Sequence, residues 1–359
     1  MLALDSLIQQ VRRNCDISDA QHGGIFSVCG LALRLRDLFK WERGLAPWEE
    51  GDPAAVLDWI GAREAYWETL AGSEVGPISL NGRRLDPFDT ESVNVILAPH
   101  RLYYGAGYAR GLKPTFFLAA IESEQEIEGC RVYGLGRELA RDLLTLPALS
   151  QGDSVLLRRE SARGFLWDQI TYMAPSGQRA LAAALDACGI RDRRPSELRQ
   201  QWDRLLQVQE VIHLRHELGE IKGRDFQRDL WQEIIAAFPL TRTELLARHV
   251  KDLLADTHPV GPLCHICQSR SAAGLALYSA LADRLTRSLF AELTPATEAF
   301  WQTGDWAVVQ RAVDAGRAAA QRYAGMITST YCDAKAGHDF SRVEADLDRC
   351  MGRYLDGDP

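Results

Sequence analysis

The sequence predicts a predominantly helical α+β protein: a helical bundle with a small β-containing middle segment. Three observations predict this fold class. Stretches toward both ends repeat apolar residues every three or four positions, which is the spacing of amphipathic helices. The middle of the chain shows an Asn-Gly turn signal and alternating apolar and polar residues, which are typical of β-hairpins. Short linkers favour a packed bundle over separate modules.

Residues 1–72 are predicted to form an N-terminal helical region. LDSLIQQVRR places apolar residues at positions 4, 7, 8 and 11, on one face of a helix. FSVCGLALRLRDLFKWE repeats this pattern. In DPAAVLDWIGAREAYWETL we expect Asp52 to cap a helix whose first residue is Pro53, because these residue types favour those positions.

Residues 73–165 are predicted to form a small α+β segment. ISLNGRRL contains the Asn-Gly pair of a tight hairpin, and TFFLAAIESEQEIEGCRVYGL predicts two strands around a turn. GLGRELARDLL, residues 134–144, is predicted as a short helix. GDSVLLRRESA then predicts a further strand.

Residues 166–359 are predicted to form a C-terminal helical bundle. LRQQWDRLLQVQEVIHLRHELGE predicts one long helix that ends near Gly223. Thr241 and Glu244 match a capping box at the start of a later helix, ELLARHVKDLLAD. The sequence shows neither a repeat of fixed period nor a low-complexity tract.

Composition argues against several classes of partner. The 359 residues suffice for roughly two domains, and their formal net charge is −8. This charge argues against a general affinity for nucleic acid or for an anionic membrane, because both depend on a positive field. From its first residues we expect no secretory signal, and the sequence shows no apolar run of about 18 residues. With eight dilute cysteines, we expect a cytoplasmic protein with reduced thiols. Its partners are not specified by the sequence.

EVIHLRHELGE, residues 210–220, concentrates acids and imidazoles on one helical face. At about 100° per residue, its two histidines and three glutamates occupy roughly a third of the helix circumference. Aliphatic residues border this arc, and the cations Arg215 and Lys222 lie nearly opposite. Segregation of acids from cations is unusual on a solvated helix face, where oppositely charged pairs stabilise the helix.

This pattern predicts a divalent metal site. Imidazole and carboxylate are ligands for Zn, Fe or Mn, and spacings of three or four residues direct them to one point. A second helix, LARHVKDLLADTHP, can supply further acids, with His249 on the same stripe. Glu217 is the predicted catalytic residue, a general base toward a metal-activated water in a hydrolase or an oxygen-dependent enzyme. The predicted metal ligands are His213, His216, Glu220, Asp252 and Asp256.

The alternative interpretation assigns no chemistry to these residues. His and Glu form hydrogen bonds at i, i+4 on ordinary helices, so the same stripe is compatible with a non-catalytic interaction or regulatory protein. His216-Glu217-x-x-Glu220 resembles the metalloprotease signature, but Glu220 stands where that signature needs its second histidine. The protease interpretation is therefore not carried over.

Two other motifs permit a functional and a structural interpretation. Cys264-x-x-Cys267 is half a zinc site, to which Cys15, Cys29 and His22 are candidate contributors, although buried cysteines often serve as small apolar residues. HRLYYGAGYARGLKPTFF, residues 100–117, could bind a phosphate, a carboxylate or a stacked base. Its structural interpretation is a glycine-permitted loop packed with tyrosines.

Four segments carry a resemblance to a known family. NCDISDAQHGGIFSVCGLALRLRDLFKWERGL, YYGAGYARGLKPTFFLA, RHELGE and VKDLLADT are together similar to an uncharacterised bacterial protein family. The resemblance spans most of the chain. It implies no activity and no catalytic residue.

Overall fold

A computed structural model describes residues 3–191 and 195–355. Within these ranges the chain forms fifteen α-helices, a five-stranded sheet and a two-stranded sheet. The predicted class, a mostly helical α+β protein, is confirmed. The chain separates into two compact units, and the boundary follows Asp168. None of the helices in the described ranges combines the length and apolar character needed to cross a membrane.

The first unit holds all the strands of the described chain. Its helices are α1 (Leu4–His22), α2 (Val28–Glu42), α3 (Pro53–Glu68), α4 (Thr90–Leu97) and the first part of α5 (Arg159–Thr171). Its strands are β1 (Ile78–Leu80), β2 (Arg83–Leu85), β3 (Leu102–Tyr108), β4 (Pro114–Ile127), β5 (Cys130–Arg141), β6 (Ala148–Gln151) and β7 (Ser154–Arg158).

Local signals explain several of these elements. The Asp52 side chain accepts a hydrogen bond from the Ala55 amide at 3.0 Å, and Pro53 begins α3 as predicted. Asn81 and Gly82 both have positive φ, 50° and 76°, which a tight two-residue hairpin turn requires. The predicted hairpin is therefore present as the β1–β2 pair.

The five-stranded sheet has the order β3-β4-β5-β7-β6, in which only the β5–β7 pair is parallel. Residues 134–144, predicted as a short helix, instead continue β5 as far as Arg141. That prediction is wrong because Leu135 and Leu139 are four residues apart, a spacing that suits one face of a strand as well as one face of a helix. Pairing with β4 and β7 on both sides holds the segment extended.

Both faces of this sheet are buried. Leu118 and Phe116 of β4 pack against α1, whereas Phe117 lies in a second apolar cluster on the opposite face. The Gln151 side chain of β6 reaches β3, where it accepts from the Ala106 amide at 3.3 Å and donates to the Tyr103 hydroxyl at 3.3 Å. The sheet is thus curled so that its two edge strands are joined by a side chain.

A buried ion cluster fixes α1 to the sheet. Lys113 is fully buried, and its Nζ lies 2.9 Å from Asp19 Oδ1 and 3.5 Å from Asp142 Oδ2. Burial raises the pKa of Asp19 to about 7, an effect that Lys113 opposes and Asp142 reinforces. Asp142 also accepts from the Phe116 amide at 3.1 Å. These contacts join the first helix, the β3–β4 loop and the end of β5.

The second unit is helical throughout the residues described. Its helices pack as a bundle in which α9 contacts both α7 and α14, and α11 lies against α6. The helices are α6 (Pro175–Ala187), α7 (Pro195–Lys222), α8 (Arg228–Ala237), α9 (Arg242–Asp256), α10 (Pro262–Ser269), α11 (Ala272–Leu281), α12 (Arg284–Leu289), α13 (Leu293–Thr303), α14 (Trp306–Gly337) and α15 (Val343–Leu355).

The substitution Lys113→Met tests the ion cluster. It leaves two buried carboxylates without their cation, so we expect the free energy of unfolding at pH 7 to fall by about 3–5 kcal/mol. The loss should shrink at pH 5, where the carboxyls can take up protons. Urea denaturation at both pH values measures this. Arg110→Met, in the same loop but exposed, is the control; equal losses in the two variants would contradict the assignment.

Candidate metal centre

The helices α7 and α9 cross at close range, and a glycine permits it. A Cβ atom on Gly219 would lie 2.3 Å from the carbonyl oxygen of Ala255, far inside van der Waals contact. Only glycine therefore allows this separation of the two backbones. The two helices run antiparallel, because His216 meets Asp256 while Glu220 meets Lys251.

His216 is held by carboxylates on both of its ring nitrogens. Its Nδ1 lies 2.7 Å from Asp256 Oδ1, and its Nε2 lies 3.6 Å from Glu220 Oε1. The Tyr278 hydroxyl of α11 donates to the other Asp256 oxygen at 2.6 Å. Burial opposes a charge on His216, yet Asp256 and Glu220 raise its pKa well above the ordinary value.

Glu220 is oriented through its second oxygen. Lys251 Nζ donates to Glu220 Oε2 at 2.6 Å and lies 4.3 Å from the ring centroid of Trp231. Burial raises the pKa of Glu220, but His216 and Lys251 outweigh it and lower this pKa to about 2. Glu220 is therefore a carboxylate at every physiological pH.

Glu217 and Asp252 titrate near neutrality. Burial and the Glu220 carboxylate raise the pKa of Glu217 to about 7. Burial also raises the pKa of Asp252 to about 6, although the nearby His216 opposes the shift. A carboxyl group with a pKa close to ambient pH can exchange a proton in either direction, which is the property of a general acid or base.

Three side chains come close enough together to hold one metal ion. One ligand atom each from His216, Glu220 and Asp252 lies within 4.8 Å of the other two. Since Asp256 occupies Nδ1 of the imidazole, Nε2 is the nitrogen available to a cation. Among the residues described, this is the one group of histidine, cysteine or acid side chains with that geometry.

Three other predicted site residues, Asp256, His213 and Glu217, lie outside this three-residue group. Asp256 contacts His216 and Tyr278 and does not belong to the three-residue group. His213 also lies outside that group, and burial with the nearby His216 lowers its pKa to about 3, so its imidazole is neutral. Glu217 neighbours the group in sequence and is 8% exposed.

His249 does not join the cluster, although it lies on the same helix. Its Nδ1 is 2.9 Å from the Leu245 carbonyl oxygen and its Nε2 is 3.0 Å from Asp283 Oδ2. Both partners are acceptors, so both ring nitrogens carry protons and the side chain is a cation. Burial opposes this charge, but Asp283 raises the pKa of His249.

The two remaining motifs of the sequence are Cys264-x-x-Cys267 and residues 100–117. In both, the contacts of the side chains favour the structural interpretation. Cys264 donates to the Thr257 carbonyl oxygen, and burial raises the pKa of Cys267 to about 11, so neither thiol ionises readily. Residues 102–108 form a strand, in which Tyr104 is buried and donates to the Pro87 carbonyl oxygen. Tyr108 is exposed and stacks on Phe88.

Sequence reasoning missed Gly219, Lys251 and Tyr278. A glycine inside a long predicted helix is a signal for close packing, so Gly219 could have been singled out. Lys251 and Tyr278 could not, because their roles depend on which helices become neighbours.

These features describe a two-unit α+β protein whose helical unit encloses a histidine–carboxylate cluster. The model of the N-terminal domain of a family of unknown function (DUF6866) matches residues 6–158, and the model of its C-terminal domain matches residues 163–349. The chain therefore belongs to this family, and its resemblance to an uncharacterised family is confirmed. No curated protein and no solved structure matches the chain.

The helix crossing is tested by Gly219→Ala. The added methyl group forces α7 and α9 apart, and we expect the free energy of unfolding to fall by about 1–3 kcal/mol. Gly61→Ala is the matched control: nothing lies within 4 Å of its Cβ position in α3, so it should raise stability by about 0.5–1 kcal/mol. Chemical denaturation measures both, and a neutral Gly219→Ala would refute the close crossing.

The pKa of Glu217 predicts a pH dependence of stability. Its pKa is near 7 in the folded chain and near 4.5 in the unfolded chain, so the folded state binds more protons between these values. The free energy of unfolding therefore falls as pH rises from 4.5 to 7. Glu217 contributes on the order of 3 kcal/mol to this fall. Glu217→Gln should flatten that part of the curve and be more stable than wild type at pH 7. Identical thermal melting profiles across this range would contradict the shift.

Proposed function

We propose that the protein is a divalent-metal-binding protein whose centre consists of His216, Glu220 and Asp252. The observation that supports this most directly is the convergence of their three ligand atoms within 4.8 Å. One imidazole and two carboxylates are a mixed nitrogen and oxygen ligand set, which suits Zn, Fe or Mn. Three protein ligands leave further coordination positions open to water or substrate.

A second layer of hydrogen bonds supports the assignment. Histidine ligands in metal sites commonly donate their other ring N–H to a carboxylate, which fixes the ring orientation. Asp256 stands in this position on His216, and Tyr278 holds Asp256 in turn. Lys251 occupies one Glu220 oxygen and leaves the other directed toward His216. Asp256 is accordingly proposed as a positioning residue, although the sequence pattern predicts it as a ligand.

The charges of the cluster favour a cation. Four carboxyl groups lie here against two basic side chains, Lys251 and His216. Asp252 has neither a hydrogen bond nor an ion pair among the contacts of the described residues, and it is only partly exposed. A divalent ion would neutralise this excess of acidic groups, which burial makes costly.

Glu217 provides the proposed chemistry beside the ion. A bound metal lowers the pKa of a coordinated water toward neutrality. Glu217, with its own pKa near 7, can accept a proton in that range. This combination fits a hydrolytic or an oxygen-dependent reaction, with Glu217 as the general base.

A second candidate function is a non-catalytic interaction or regulatory role. The short Lys251–Glu220 and His216–Asp256 contacts favour it, because these charges compensate one another without any ion. The cluster would then tie α7, α9 and α11 together as a polar network. Networks of this kind can specify one arrangement of helices.

Metal analysis of tag-free protein separates the two functions. We expect one equivalent of a divalent metal in wild type, and at least a tenfold loss of affinity in Glu220→Gln and Asp252→Asn. Glu210→Gln, on the same helix but outside the ligand group, is the control and should keep its metal. Elemental analysis and titration with Mn²⁺ and Zn²⁺ provide the measurements. If folded wild-type protein binds neither ion, the metal-binding function is refuted and the polar-network role remains.

A further inference from the structure

One edge of β4 lacks a partner strand over its last residues. β3 pairs with β4 as far as Ala120, whereas β4 continues to Ile127. The Arg101 guanidinium ends this pairing, because it donates to two β4 carbonyl oxygens at 3.0 and 3.1 Å. Within the described part of the chain, residues 123–127 then pair with β5 alone. About 17 Å of strand edge is therefore open to a further strand.

A tight turn fixes the hydrogen-bond pattern of the β4–β5 hairpin. Its two residues, Glu128 and Gly129, have positive φ, 52° and 69°, as a two-residue loop between antiparallel strands requires. Ile127 and Cys130 flank the loop and are partners in the ladder. A pair in this position exchanges both of its backbone hydrogen bonds, and bonded and non-bonded pairs alternate from there along the strands.

The backbone groups that face the open edge belong to two glutamates. Gln125 and its partner Val132 form a bonded pair, because they lie two positions from the pair that flanks the turn. The N–H and C=O groups of Glu124 and Glu126 therefore point away from β5. Both of these residues are exposed. A row of such donors and acceptors on an exposed edge is a template for a strand of another chain.

Acidic side chains line the same edge. Glu122, Glu124 and Glu126 alternate along the strand, and all three are exposed. Arg159 lies 3.1 Å from the first carboxylate, and Arg131 lies 3.6 Å from the second. Among the described residues, Glu126 forms no ion pair. An incoming strand therefore meets a negative edge with one uncompensated carboxylate.

Like charges argue against a second copy of this chain as the incoming strand. If two such edges paired antiparallel about Gln125, Glu124 of one copy would lie opposite Glu126 of the other, and this contact would occur twice. Like charges directly opposite one another destabilise a strand pair. Charged residues on an edge are a common protection against self-pairing for this reason. A strand with basic residues at alternate positions would instead meet both glutamates favourably.

We propose that residues 123–127 bind an extended basic segment of another protein, which adds to the sheet as a strand beside β4. The backbone hydrogen bonds of Glu124 and Glu126 provide affinity, and Lys or Arg opposite their side chains provides specificity. The residue between these cations points to the other face of the sheet, beside Gln125, where a β-branched side chain suits a strand. The inference is independent of the metal centre, since none of its residues lies in β4.

A fluorescein-labelled peptide amide, Thr-Lys-Val-Lys-Val-Lys-Thr, is the probe for the full chain, with fluorescence anisotropy as the measurement. We expect saturable binding that weakens as salt is added, because part of the attraction is electrostatic. The same peptide with Glu in place of each Lys is the control and should bind at least tenfold more weakly. Failure of wild type to bind the lysine peptide, or equal binding of the two peptides, would overturn the proposal.

Two substitutions at one position separate strand pairing from charge attraction. Glu126→Ala removes the carboxylate alone, and we expect affinity for the lysine peptide to fall by about twofold to fivefold. Glu126→Pro also removes the outward N–H, and we expect a further loss of about tenfold. Since that N–H makes no bond to β5, the melting temperature of Glu126→Pro should stay close to that of Glu126→Ala. Equal affinities of the two variants would reduce the contact to charge attraction and refute strand addition.

Amide hydrogen exchange gives a test that needs no substitution. With saturating lysine peptide, exchange at the Glu124 and Glu126 amides should slow by at least tenfold, because these N–H groups gain acceptors. The Gln125 and Ile127 amides already bond to β5 and should change little. This alternation is specific to a strand added on the open edge of β4. Unchanged exchange at Glu124 and Glu126 in the peptide-bound protein would overturn the proposal even if the peptide binds.

Discussion

The close crossing of α7 and α9 at Gly219 is the constraint on which the candidate site depends. Because Gly219 lacks a side chain, the backbone of α7 can approach the Ala255 carbonyl of α9. At this separation, side chains of ordinary length meet across the interface. His216 then reaches Asp256, and Glu220 reaches Lys251. A wider crossing would leave the same residues as separate solvated charges, which contribute little.

Both units bury charges in compensated groups, but with different access to solvent. In the first unit, Lys113, Asp19 and Asp142 have side chains no more than 2% exposed, and each charge has a partner. In the second unit, the side chains of His216 and Lys251 are 22% and 23% exposed. A fully enclosed group has no contact with solvent or with a dissolved ion in the folded state. A partly exposed one can also exchange protons or meet an ion, which is why the second cluster carries the functional proposal.

The parts predicted from sequence are those that depend on one helix or one turn. The histidine–glutamate face of 210–220 follows from helical spacing alone, and the Asn81-Gly82 turn from residue type. The strand at 134–141 was missed because its hydrogen-bond partners are distant in sequence. For the same reason, the sequence could not predict that His249 contacts Asp283 whereas Asp252 joins the cluster. Tertiary contacts decide both cases.

The two carboxylate oxygens of Glu220 make contacts of different length. Lys251 holds Oε2 at 2.6 Å, whereas Oε1 lies 3.6 Å from His216 Nε2, beyond good hydrogen-bond length. In a purely structural network, a buried carboxylate gains most when both oxygens make short contacts. A separation above 3 Å between a carboxylate oxygen and an imidazole nitrogen is instead compatible with both atoms ligating one ion, since each bond to such a metal is close to 2 Å. Under the proposed function, this cluster would be a preformed ligand set, in which Lys251 and Asp256 would orient the groups that face the ion.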